Sequence, residues 1–306
     1  MTAAGTRAGR RLALTAALAL ALGGLACKVQ LTPEGVAQTV SAIIDARKDL
    51  TPENEYWTGR SVATNLLARF QYHYRDAAAL RAGRLEGLTA YVSQVGGVLA
   101  ASALETRRDG DRPAPLGGWH FIVVESDTIN AFAAPGGWVV VTSGAVEAAT
   151  SEDELAAVLA HEIAHVVRGH ALGSIKKGRW AGVAKTALDT SVQLDAQQLG
   201  ELTKVFEGAM DDMVDNLLVK GYSRDTEFEA DKVGLAILAH AGYDPQAAVR
   251  FLRTLDQKQP TGSGGFSATH PSAKDRIGKV TAQAGKLGTR TIPAIRISRF
   301  KSALGA

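Results

Sequence analysis

The pentapeptide His161-Glu162-Ile163-Ala164-His165 constrains this chain more than any other stretch. Two imidazoles four residues apart share one face only if the segment is helical, and there they can grip a single metal ion. The intervening Glu162 then stands beside the metal's open position. A metal held this way acidifies water, and a neighbouring carboxylate takes the proton and later returns it to a leaving amine, so the pattern points to peptide-bond hydrolysis. The surroundings favour a helix: Ser151-Glu152-Asp153-Glu154 has the form of a capping box, and Leu155, Val158, Leu159, Val166 and Val167 recur at helical spacing. With Gly169 as a stop, the spacing predicts a helix over residues 152–168.

A catalytic zinc takes three protein ligands and keeps one position free. Glu227, 62 residues after His165, fills the third role. It sits in Glu227-Phe228-Glu229-Ala230-Asp231, inside a helical run over residues 223–241, where Glu227 and Asp231 share a face. Glu227 there reaches the metal, while Asp231 accepts the second N–H of a ligand histidine and fixes its tautomer. The alternative is a solvated acidic face; the small residues Ala230, Gly234 and Ala236 argue for close packing instead. The expected cofactor is one Zn²⁺ per chain, with Glu162 as general base and then acid.

These residues carry a family resemblance. HEIAH followed by Glu227 and Asp231 in an E-x-x-x-D pattern resembles the HtpX-like and CAAX-prenyl-endopeptidase-like zinc metallopeptidases, in which the helix-borne Glu is the third ligand. Glu55-Tyr56-Trp57-Thr58-Gly59-Arg60-Ser61-Val62-Ala63, Ile129-Asn130-Ala131-Phe132-Ala133-Ala134-Pro135-Gly136-Gly137, and Thr269-His270-Pro271-Ser272 with Asp275-Arg276-Ile277 look like blocks of its soluble periplasmic or lipoprotein members. The resemblance covers residues 53–280 and implies an α+β fold: a mostly helical zincin-type domain with a small β-sheet before the zinc helix. Integral-membrane members add long apolar helices. None is expected after residue 26, which disfavours a membrane-embedded enzyme for prenylated substrates.

Arg7, Arg10 and Arg11 precede an apolar run over residues 12–26, too short for an ordinary span and suited to an export signal. Gly23-Gly24-Leu25-Ala26-Cys27 resembles a lipobox, with Gly24 where Leu is usual, and Cys27 is the only cysteine, so its expected fate is lipidation. An uncleaved anchor and a plain secreted protein are the alternatives. The expected location is the cell envelope, in the periplasm on the outer membrane, since Lys28 rather than Asp follows the cysteine. The chain has 34 basic and 31 acidic residues; losing three arginines with the signal leaves no net charge, which gives nucleic acid no electrostatic footing as a partner. The expected organisation is a signal over residues 1–26, an N-terminal helical portion over 27–108, and the metallopeptidase core over 109–306.

Thr32-Pro33 and Thr51-Pro52 pair an N-cap with a first-turn proline, and residues 85–104 continue a helical pattern. A Pro- and Gly-rich loop over 107–118 leads into the β region: residues 119–125, 129–133 and 138–142. An amphipathic helix is expected on Leu199, Leu202, Phe206, Ala209, Met213 and Leu217. Asn130, Ala131 and Phe132 form a candidate edge strand that pairs with an extended substrate, or else an interior strand with no ligand. His270 follows a Gly- and Ser-rich stretch over 261–267 and has three roles open: a fourth ligand that gates the metal, an oxyanion donor, or a structural residue ahead of a helix. Tyr222 and Arg276 are further oxyanion candidates, and His73, His120, His170 and His240 are assigned structural or surface duty. The function that follows is a zinc endopeptidase acting on unfolded or misassembled envelope polypeptides. The alternative is a chaperone-like assembly factor with a latent or structural zinc site.

Overall fold

The computed structural model describes residues 52–70, 78–175, 211, 214–259, 265–270 and 272–305. The predicted signal, Cys27, the helix opening at Thr32-Pro33, His73, residues 261–264 and most of the amphipathic pattern from Leu199 lie outside them. The chain divides into two compact units, Met1–Thr51 with Ser174–Asp212, and Pro52–Gly173 with Met213–Ala306. All the described residues except Ser174, Ile175 and Asp211 belong to the second.

It opens with α1 (Pro52–Arg69), where a proline at the first position, Glu53 and Glu55 in the first turn and Arg69 in the last all suit the helix dipole. Helix α2 (Ala78–Glu105) starts seven residues before the apolar pattern, because the preceding Ala, Leu and Arg residues are helix formers without an apolar stripe. Its part over Gly83–Glu105, of mean hydropathy 1.3, is by length and composition able to cross a membrane, which corrects the expectation that no such helix follows residue 26. Half of that window is buried, and Leu88, Val92, Val95 and Leu99 pack into the core, so the apolar character is that of a core helix.

Three short strands follow: β1 (His120–Val124), β2 (Ala131–Ala134) and β3 (Trp138–Thr142), in the order β1-β3-β2. β1 runs parallel to β3, pairing His120 with Trp138, and β2 runs antiparallel to it, pairing Ala131 with Val141. The β-branched runs in β1 and β3 explain why the sequence marks them. β2 is built from alanines and Phe132, owes its place to the turn Pro135–Gly137, and forms an edge of the sheet.

After α3 (Ser143–Ala148), helix α4 (Glu152–Val167) runs through the interior with every residue buried. Ser151 caps it by accepting from the Glu154 amide, but Glu154 turns back to Thr150 rather than to Ser151, so the capping box closes one residue early. Short α5 (His170–Ile175) follows directly, and a π-helical turn over Asn216–Lys220 precedes α6 (Arg224–His240), capped by Ser223. α6 packs lengthwise on α4. At Gly234 a Cβ would stand 3.1 Å from backbone atoms of Ala160 and His161, so any side chain there would press the two helices apart by a few tenths of an ångström.

α7 (Gln246–Lys258), α8 (Phe266–Thr269), α9 (Ala273–Leu287) and α10 (Ala294–Leu304) complete the unit. α10 is tied to the start of α4: Glu152 accepts from Arg299 at 2.6 Å, from Tyr91 at 2.8 Å and from Tyr243 at 3.1 Å. The described unit is thus mostly helical, with the small sheet placed before the motif helix, as expected of the α+β class.

Candidate metal centre

The period of α4 puts His161 and His165 on one face, with Nε2 atoms 3.2 Å apart. α6 brings Glu227 to the same point: Oε2 lies 3.3 Å from His161 Nε2 and Oε1 lies 3.4 Å from His165 Nε2. Zinc bonded to nitrogen and carboxylate oxygen at about 2.0–2.1 Å in a tetrahedron separates its ligand atoms by about 3.3–3.4 Å, so each of these separations is close to such an edge, with the two histidines facing different oxygens of the Glu227 carboxylate. His161, His165, Glu227 and His270, all buried, offer ligand atoms within 4.8 Å of one another and could hold a metal ion. The fit is supported by Glu162, whose two carboxylate oxygens are buried without a hydrogen-bond partner.

Asp231, one turn beyond Glu227, holds His161: its Oδ1 lies 3.2 Å from the ring's Nδ1. Arg276 fixes Asp231 in turn, donating from Nε at 2.9 Å and from Nη2 at 2.6 Å, while Nη1 lies 3.2 Å from Glu227 Oε2. Two of its nitrogens are therefore committed to Asp231, while Nη1 is buried near Glu227 without a hydrogen bond. Burial and Arg276 both press the His161 imidazole downward, but Asp231 and Glu227 outweigh them and lift it to about 9. Burial and the other imidazoles take His165 the opposite way, to about 3. Burial works to raise the Asp231 and Glu227 carboxyls, yet Arg276 for the one and His270 for the other hold both below the usual range. Glu162 has no such partner within hydrogen-bond reach, and burial raises its carboxyl. An upward shift is what a proton-accepting and returning group needs near neutral pH.

His270 sits directly against the carboxylates, with Nδ1 2.9 Å from both Glu227 oxygens and Nε2 3.8 Å from Glu162 Oε1. Phe266 stacks on its ring at 4.0 Å. The Tyr222 ring stacks on His165, and its buried hydroxyl has no hydrogen-bond partner. Asn130 accepts from the Ala131 amide and from Thr269 Oγ1, and Phe266 donates its amide to Ile129, so the edge strand and the His270 segment are stitched together. Ala131 and Phe132 are buried, the latter against Phe70.

His120 stacks on Trp138 at 4.1 Å and His240 lies 3.1 Å from Ser102, both away from the centre. His170 is different. Five residues past His165 it is out of helical register, yet its Nδ1 lies 2.9 Å from His165 Nδ1. Gly169, at φ +65°, ends α4 in the left-handed region, and the chain restarts as α5 with His170 turned back over its neighbour. The Arg168-Gly169-His170 sequence was the available signal for this contact.

Comparison with known proteins agrees with this chemistry. The chain is 33% identical over 170 residues to the mitochondrial metalloendopeptidase OMA1 of Arabidopsis thaliana, covering 54% of this chain and 31% of the relative. It is 32% identical over 208 residues to the beta-barrel assembly-enhancing protease of Yersinia pestis, covering 65% of this chain and 40% of the relative. With the OMA1 of Schizosaccharomyces pombe it shares 36% over 165 residues, 53% of this chain and 45% of that one. The chain thus spans less than half the length of these relatives. Residues 91–284, which carry α4, α6 and the whole ligand cluster, match the model of peptidase family M48, whose members are zinc-dependent. On that match the chain belongs to peptidase family M48 and is a metallopeptidase.

Proposed function

We propose that the chain is an exported zinc endopeptidase that cleaves unfolded or misassembled polypeptides of the cell envelope. It holds one zinc per chain on His161, His165 and Glu227. The observation that carries this is the convergence of the two Nε2 atoms, 3.2 Å apart, on the Glu227 carboxylate, whose Oε2 and Oε1 lie 3.3 and 3.4 Å from them, with the unpartnered Glu162 carboxylate in the same buried cluster. Zinc bound there supplies Lewis-acid polarisation of the scissile carbonyl and lowers the pKa of water to about 7. Glu162 takes a proton from water and returns it to the leaving amine; its raised pKa makes both transfers feasible. Asp231, braced by Arg276, keeps His161 in the tautomer that presents Nε2. Asn130, Ala131 and Phe132 would hold extended substrate along the β2 edge by backbone pairing, which carries little sequence preference. The names of the Yersinia and other beta-barrel assembly-enhancing relatives support an envelope substrate, and the lipobox at Cys27 supports a membrane anchor.

A second reading, an assembly factor whose site is held shut, is favoured by His270 lying against both Glu227 and Glu162. Glu162→Gln separates the two. The variant is expected to retain one zinc, to lose cleavage of casein and to trap substrates in cells. If it instead complements a deletion fully, the binding role leads, and if it still cleaves, Glu162 is not the base.

A further inference from the structure

The two ligand histidines have unlike supports. His161 leans on a carboxylate, the common arrangement behind zinc, and that carboxylate is pinned by a buried arginine. His165 leans on another imidazole. Its Nδ1 meets His170 Nδ1 at 2.9 Å with the rings at 75°, and His170 Nε2 lies 3.4 Å from Glu229 Oε2. Glu229 is in turn held by Arg168, whose Nε donates at 2.8 Å and whose Nη1 reaches Asp111 at 2.5 Å. The side chain of His170 is 8% exposed and that of Glu229 44%, so the row runs from the metal centre to the surface.

Hydrogen positions along this row have one consistent solution. To offer a lone pair at Nε2, neutral His165 must carry its hydrogen on Nδ1. That hydrogen can only point at His170 Nδ1, which must then be the acceptor. The His170 hydrogen is left on Nε2, facing the Glu229 carboxylate. We propose that His170 is a positioning residue for the metal centre: it accepts the Nδ1 hydrogen of His165, fixes the tautomer and ring angle in which His165 presents Nε2, and is itself oriented by Glu229 and Arg168. Gly169 is what makes the contact possible, since a continued helix would carry residue 170 away from residue 165.

The inference rests on His165 being a ligand, and its test keeps the two questions apart. In full-length protein labelled at the histidine nitrogens, imidazole resonances report the His165 tautomer with and without zinc, and competition with a chelator reports zinc affinity. His170→Phe keeps a ring but offers no acceptor; it is expected to weaken zinc binding 10- to 100-fold and to move metal-free His165 toward the Nε2–H form. His170→Asn places a carbonyl oxygen close to the lost Nδ1 and is expected to recover most of the affinity and the Nδ1–H tautomer. Glu229→Ala, at the exposed end, is expected to give a loss smaller than that of His170→Phe. Wild-type affinity and tautomer in His170→Phe would overturn the proposal, as would a folded His170→Asn no better than His170→Phe. If the unaltered protein binds no zinc, the ligand assignment fails, while the tautomer comparison in metal-free protein still decides the role of His170.

Discussion

The ring of Tyr222 lies on that of His165, with centroids 4.4 Å apart and planes inclined by 20°. The stack fixes where the phenol hydroxyl points, and that hydroxyl is buried with no hydrogen-bond partner. Burial, followed by the charges of Glu162 and Glu227, raises the phenol far above its usual value, so it remains a protonated donor throughout the working range. A free donor is what a developing oxyanion requires. Tyr222→Phe keeps the ring and removes the donor. It is expected to retain zinc and lower kcat by on the order of 10²-fold with KM little changed. An unaltered kcat would leave the hydroxyl without a part in the chemistry.

His270 divides two roles by the sign of one experiment. As a gate, its imidazole against Glu227 and Glu162 keeps substrate water out, and His270→Ala raises casein cleavage. As an oxyanion donor, the same change lowers kcat by on the order of 10²-fold. The contacts with both carboxylates favour the gate, so a rise is expected. A purified variant with intact zinc and an unchanged rate would exclude both.

The anchorage of α10 carries a pH signature. Burial alone would raise the Glu152 carboxyl, but hydrogen bonds from Arg299, Tyr91 and Tyr243 prevail and hold it below its ordinary 4.5. A carboxyl with a lowered folded-state pKa stabilises fully above the unfolded value, and that stabilisation fades as pH falls through the folded value. Wild type is therefore expected to melt above Glu152→Gln at neutral pH, and the gap in Tm to shrink progressively as pH falls below about 4.5. Melting curves of both proteins from pH 7 to pH 3 decide it, and a gap of constant size across that range would contradict the assignment.

The proposed membrane attachment rests on Cys27. Two or three acyl chains in a leaflet hold a protein far more firmly than a small net surface charge can. Cys27→Ala is expected to move the protein from the membrane to the soluble fraction, followed by fractionation and immunoblotting; retention in the membrane would replace the lipid with an uncleaved helix.

Much of the centre was legible because it obeys local rules. The helical period alone pairs His161 with His165 and Glu227 with Asp231, and β-branched runs mark β1 and β3 to within a residue or two. What escaped depends on contacts between distant segments or on a break in periodicity. Helical register argues against His170 touching His165; the left-handed turn at Gly169 reverses that conclusion. The Glu152 cluster draws on Tyr91, Tyr243 and Arg299, each on a different element, and no spacing rule links them. Arg276 reads as a possible donor to substrate, and no spacing rule shows that Asp231 takes its Nε and Nη2. The apolar stretch in α2 reads alike for a membrane or a core until packing partners are known.

The separation of the ligands along the chain has a consequence in time. A ribosome or export channel releases His161 and His165 first, and Glu227 follows 62 residues later. Two imidazoles without the carboxylate make an incomplete set that leaves a metal weakly held and water little activated. On the proposed ligand set, a growing chain that has exposed only α4 carries two of the three ligands while its own segments are most open to cutting. The order of synthesis would then delay completion of the centre as a propeptide delays the activity of other proteases.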